Sequence, residues 1–459
     1  MKKLILLLLA IFLTPALFAQ SIHYEKSFQT ALAKAAARNK LVFLEIDLPK
    51  PLPNFTSGLE DEEVAKKFNS NFINYRLTIA DTAANQFRRK YQVNIFPAYL
   101  FIDKNGYMIY REDKDASLPK RYLIMADAAL KQAASGKNLS DYDAQYQKGK
   151  YDVAFLKEYI NLREKLGIYD NAKLIDQYVN FLSISDLSDY QTVLFILKAG
   201  PYAYGKTYTL ALNNRPVYDS IYKTEPAADR SAINGRIVDN TFKEAVRTKN
   251  TALAEQAANY SRNIRLKDYR QASIASTKVM LGYYLATKDT ANYLRQASNF
   301  YDYSYMTISA DSSKKLEEAR RTAQMNLINS GRKIISADSM KKLIAKNGDK
   351  STQFKQVFST STPAFNVANE LNNAAYTFYT TGTVNPNYLS KAIIWSRRAI
   401  LLNPIFAYYD TLAHLLYRYG FYAEAEADQS IAVNLAKQSA PGQSERMKQE
   451  LEKIKKRTL

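Results

Sequence analysis

There is no cysteine anywhere in the 459 residues. That single absence excludes structural disulfides, thiolate nucleophiles and every metal site built on thiolate ligands. Histidine is almost as scarce: only His23 and His414 occur, far apart and outside any HExxH-type spacing. A zinc-hydrolase arrangement is therefore not encoded. His414 lies beside Leu415 and Leu416 on a helical stretch, which favours packing over catalysis. GxSxG, Walker and GxGxxG motifs are missing as well, and the carboxylate pairs Asp61/Glu62 and Glu424/Glu426 fall where exposure is the default. A hydrolytic carboxylate pair assembled only in three dimensions stays open at this level.

Long apolar runs are confined to the start. Lys2 and Lys3 precede an apolar stretch over residues 4–13, and Ala19 precedes Gln20. This is the pattern of a cleavable signal peptide cut after Ala19, and the run is short of the roughly 20 residues that span a bilayer. The expectation is an exported, periplasmic protein with no transmembrane segment after cleavage and, lacking cysteine near the cut, no lipid anchor there. A formal charge of +20, from 64 basic and 44 acidic residues, would suit an acidic partner, a membrane surface or nucleic acid. Export argues against nucleic acid. Because Lys and Arg are spread along helical stretches, a solvated basic surface is the plainer reading.

What the chain does contain falls into two styles. Residues 21–38 place Phe28, Ala31, Leu32 and Ala35 on one helical face. Residues 40–46 form an apolar run broken by one charge, Glu45, as suits a strand covered on both sides. A proline-bearing loop follows over residues 47–57, with Pro49, Pro51 and Pro53. A helix from Glu60 through Phe68, a strand over 71–79, a helix over 82–91, and two strands around the turn Asp103-Lys104-Asn105-Gly106 come next. Residues 118–135 close the set as a helix, and 136–140 read as a linker.

The positions Asp47, Glu63-Val64-Ala65, Phe68, Asn71-Phe72, Lys90-Tyr91, Val93, Pro97, Phe101, Asp103 and Gly106 resemble the thioredoxin-like domains of exported bacterial proteins, particularly those of Bacteroidota. The resemblance covers about residues 24–135. It implies a cis bond at Phe96-Pro97, and it implies that the redox cysteines belong just beyond the first strand. Here that place reads Asp47, Leu48, Pro49, Lys50, so disulfide exchange has no nucleophile.

Beyond residue 140 the strand signal disappears. Gly167, Tyr169 and Ala172 recur in spacing as Gly420, Tyr422 and Ala425, and Ala392/Ala425 and Ala399/Ala432 are each 33 residues apart. These positions resemble tetratricopeptide repeats. The 35 tyrosines are read first as packing residues of such helices. Helices are expected at 151–166, 173–182, 239–262, 266–286, 290–303, 312–329, 337–345 and 443–457, with breaks at Gly200-Pro201 and between Pro216 and Pro226.

The expected architecture is an α/β thioredoxin-like N-terminal domain plus an all-α, tetratricopeptide-like C-terminal region. Its parts are a signal peptide (1–19), the thioredoxin-like domain (20–136), degenerate helical repeats (141–360), and clearer repeats with a capping helix (361–459). The expected function is a redox-inactive scaffold that binds a protein or peptide without cofactor or metal. Asp47, Leu48, Pro49, Phe96, Pro97 and Ala98 would line its groove. The rival is a chaperone-like or oxidoreductase-accessory role in periplasmic folding. Asp81-Thr82-Ala83, Asp219-Ser220-Ile221, Asp289-Thr290-Ala291, Asp338-Ser339-Met340 and Asp410-Thr411-Leu412 further resemble an exported-protein O-glycosylation motif.

Overall fold

The computed structural model describes residues 21–48, 57–113, 117–330 and 367–459. The expected signal peptide, Pro49 and the rest of its loop through 56, the helix at 337–345 and the Asp338 motif lie outside the described residues. The chain forms two compact units, residues 1–244 and 245–459.

The first unit opens on α1 (Phe28–Arg38), later than the periodicity predicts. Ser27 captures the Thr30 N–H as an N-cap, and Asn39 ends the helix in the left-handed region at φ 49°. The preceding residues are extended instead, with Tyr24 bridged to Asn74. Four strands then build one mixed sheet in the order β2-β1-β3-β4: β1 (Leu41–Asp47), β2 (Phe72–Thr78), β3 (Ala98–Ile102) and β4 (Met108–Glu112). β1 pairs parallel to β2 and antiparallel to β3, and β3 pairs antiparallel to β4.

This topology explains the apolar run of β1, which lies between two strands with both its faces covered. On one face Phe43 packs edge-on against Phe68 of α2 (Glu62–Asn71) at 4.7 Å, among Phe72, Phe101, Tyr99 and Tyr122. On the other, Phe28 meets Phe87 of α3 (Ala84–Lys90) at 4.8 Å. A short 3₁₀ turn at Gly58–Glu60 lies against the start of α4 (Pro119–Ala134). A Cβ on Gly58 would come within 2.6 Å of the Pro119 nitrogen, so only glycine permits the approach.

Helices alone follow. α5 (Leu139–Gln147) starts within the stretch read as a linker, with Asn138 and Asp141 forming a capping box. α6 (Val153–Lys165) and α7 (Ala172–Tyr178) turn at Gly167, and α8 (Tyr190–Ala199) ends at Gly200 with φ 74°. α9 (Lys206–Asn213), α10 (Arg215–Thr224) and α11 (Ala227–Thr248) come next. Pro216 begins α10 rather than ending a helix, since a first-turn proline gives up no bonded N–H.

In the second unit the helix expected over 239–262 is divided. Lys249 adopts φ 52° and Asn250 caps α12 (Thr251–Asn263) through the Leu253 N–H. α13 (Tyr269–Ala286) and α14 (Thr290–Tyr301) run into a π turn, Asp302–Met306, followed by α15 (Ala310–Ser330). After the undescribed stretch come α16 (Val367–Thr380), α17 (Pro386–Leu402), α18 (Phe406–Tyr419), α19 (Tyr422–Ser439) and α20 (Pro441–Lys455). Ala392, Ala399, Ala425 and Ala432 are fully buried, and each helix here packs on the next. Small side chains at those points let the backbones draw together.

The second histidine fastens the last helix. His414 is buried, its Nδ1 lies 2.7 Å from the Asp410 carbonyl, and its Nε2 lies 3.4 Å from Glu450 of α20. Burial opposes the Glu450 charge, yet Lys453 at 2.8 Å and His414 together hold its carboxyl below the usual glutamate value. A carboxyl whose folded pKa is depressed stabilises above the unfolded value and loses that contribution as pH falls through the folded one. In melts from neutral pH into acid, the gap between the native chain and Glu450→Gln is therefore expected to close once pH drops past 4.5. A gap that holds constant down the titration would contradict this role for Glu450.

Candidate functional site

Five of the six expected groove residues lie at one end of the sheet. Ile46 of β1 is paired with Ala98 of β3, so the next residues along each chain, Asp47 and Pro97, are brought side by side. Phe96-Pro97 is a cis peptide bond. Ala98 is fully buried and fixes the start of β3, while Leu48, Phe96 and Pro97 are half-buried at the surface. Five of the six thus come together, and Pro49 is outside the described residues.

Asp47 is spent on holding its own strand end. One carboxylate oxygen accepts the Leu48 N–H at 2.7 Å and the other accepts Arg76 Nη2 at 2.7 Å, while its carbonyl accepts the Ile79 N–H at 2.9 Å. Deeper in the same face lies Glu45, 3% exposed, the lone charge in the apolar run. It accepts Tyr24 Oη at 2.6 Å and lies 3.4 Å from Arg76 Nε. Burial, and behind it the Glu45 carboxylate, push the Tyr24 phenol far above its ordinary value, so it donates at any physiological pH. Tyr24, Glu45, Arg76 and Asp47 form a locked polar brace beneath the strand end.

Above the brace the surface is apolar. Ile95 is 50% exposed, Ile79 stands at the end of β2, and the Arg88 guanidinium lies 5.2 Å over the Phe96 ring. Among the described residues, the peptide groups of Ile95 and Phe96 make no backbone hydrogen bond. Sequence reasoning passed over Ile95 and Ile79. The signal was there, since each is an apolar residue at the edge of a strand pattern, next to a proline or a turn. A peptide edge beside an apolar strip is what an incoming extended chain can pair with.

Other candidates separate. His23 is exposed and His414 lies in the other unit. Among the described residues no cluster of His, Asp and Glu could hold a metal ion, and no helix is long and apolar enough to cross a membrane. Of the glycosylation-type motifs, Thr82 is exposed, Ser220 and Thr290 are half-buried, and Thr411 is buried with its hydroxyl donating to the Ala407 carbonyl. The Asp410 motif is therefore part of the packing of α18. Comparison with protein-family models and with curated proteins finds no match to this chain.

Proposed function

We propose that the chain is an exported, redox-inactive scaffold, with a thioredoxin-like first domain and tetratricopeptide-like helices, that binds an extended segment of another protein at the end of its sheet. Support for the thioredoxin-like part comes from the strand order β2-β1-β3-β4 with only β1 and β2 parallel, and from the cis proline heading β3. Support for the repeat-like part comes from the buried alanines at matching places in the alternate helices α17 and α19.

One observation carries the binding reading. The place where sulfur chemistry would occur in such a fold holds Asp47 and Leu48, and the neighbouring strip of Ile95, Phe96 and Pro97 offers apolar area where, among the described residues, the Ile95 and Phe96 peptide groups make no backbone hydrogen bond. Strand addition there needs backbone geometry and shape, with no reactive side chain. A labelled peptide alternating valine and threonine should bind the intact chain. Ile95→Asp should weaken it by about tenfold or more without changing the melting temperature. Equal affinity in the variant, or no binding by the native chain, would overturn the proposal.

A further inference from the structure

A groove of about 500 Å³ opens in the second unit where the start of α13 meets the π turn and the start of α15. Tyr269 and Tyr303 flank it, Ile274, Ile308 and Leu316 supply apolar lining, Arg270 adds a guanidinium, and serine and threonine hydroxyls complete it. No carboxylate is among these lining residues.

Two features set it apart from ordinary surface. Tyr269 is 70% exposed and Tyr303 is 78% exposed, whereas Tyr301 and Tyr305 on either side of Tyr303 are buried. Tyr301 ends α14 and Tyr305 lies one turn on, both facing inward, while Tyr303 between them faces out from a π turn, an element frequent at functional positions. That turn is also firmly held. Asp302 accepts Trp395 Nε1 at 2.7 Å and pairs with Lys391, Arg270 donates to the Ser304 carbonyl at 2.9 Å, and Arg398 donates to the Ile308 carbonyl at 2.9 Å. A rigid base thus presents a ring to water.

Beside Tyr269 the rim is cationic, while on the α15 side Asp311 stands exposed between the lining residues Ser309 and Ser312. Arg262 lies 5.5 Å over the Tyr269 ring, and Arg265 spends its guanidinium on the Ser261 carbonyl and hydroxyl rather than on a carboxylate. Lys267 follows two residues on, and Asp268 is committed to capping α13 by accepting the Gln271 N–H at 3.0 Å.

We infer that this groove is a second binding site, for an extended acidic peptide segment that alternates carboxylate and apolar side chains. Apolar side chains would seat on Ile274, Ile308 and Leu316, the peptide backbone would lie across the two tyrosines, and carboxylates would meet Arg270 and the Arg262 rim. Charge complementarity selects the acidic partner, and exposed tyrosine with arginine is the composition of interface anchors.

The test uses the full chain and fluorescence anisotropy with a short labelled peptide alternating glutamate and leucine, set against its lysine–leucine counterpart. The glutamate peptide should bind saturably and more weakly as salt is added. The Tyr269→Ala/Tyr303→Ala double variant should lose about tenfold or more in affinity while melting as the native chain does, because both rings are exposed. Equal binding of the lysine peptide, no binding of the glutamate peptide, or an unaffected double variant would overturn the inference. Ile95→Asp should leave this binding intact, so the sheet-end site and the tyrosine groove fail separately.

Discussion

Trp395→Ala is expected to lower the stability of the second unit by about 4 kcal/mol. The indole is fully buried, with Phe378 edge-on at 4.9 Å and Tyr301 at 5.4 Å, so truncation opens a cavity among rings that cannot all move in. It also strips Asp302 of a 2.7 Å donor, leaving Lys391 as the carboxylate's side-chain partner among the described residues. Trp395→Phe separates the two contributions. It keeps most of the apolar volume, loses the N–H, and should cost about 1.5–3 kcal/mol, the range for a hydrogen bond to a charged group. Urea unfolding followed by far-ultraviolet circular dichroism would measure both. Less than about 1 kcal/mol for the alanine variant would mean that the core around the π turn is loosely packed.

The second large effect lies in the first unit, where Arg111 of β4 is buried under the α6–α7 turn. Its Nε donates to Asp113 at 2.6 Å, and its Nη1 faces the carbonyls of Tyr91, Gln92 and Leu166 at 3.3–3.4 Å. Gly167, at φ 75°, closes over it so tightly that a Cβ would come within 2.5 Å of Nη1. One guanidinium therefore joins the sheet to the first helical hairpin. Arg111→Met should cost about 3–4 kcal/mol, since it leaves Asp113 and three carbonyls short of a donor. Arg111→Lys should rescue little, because a single ammonium cannot reach both sides. Hydrogen exchange should show α6 and α7 losing protection first. A loss under about 0.5 kcal/mol would sink the clamp, being within the range of an ordinary surface change.

Much of the fold could be read directly from residues. The β1 run and the turn at Asp103 to Gly106 are local signals that local physics places correctly, whereas the cis bond at Phe96-Pro97 was implied only by the family resemblance. What escaped was decided at a distance. Residues 21–26 have helical spacing, yet Tyr24 is drawn into the sheet by Glu45 and Asn74, partners that only folding supplies. Glu45 itself was visible as the one charge in an apolar strand; its need for Tyr24 and Arg76 was not. The break at Lys249 and Asn250 hid inside an unbroken amphipathic pattern, because a cap needs only one side chain and leaves the periodicity on either side intact. The six groove residues were chosen through a family pattern, and the register of β1 with β3 brings the five described ones to one place. Tyr269 and Tyr303 were counted with the packing tyrosines, although the i, i+4 spacing of Tyr301 and Tyr305 already puts Tyr303 on the opposite face.

The chain has a single indole, and it is sealed in the second unit. Emission excited at the red edge, where phenol rings do not absorb, therefore follows that unit alone. Shifts toward longer wavelength would time its opening without any label, while the first unit, holding only tyrosine and phenylalanine rings, stays dark in the same experiment.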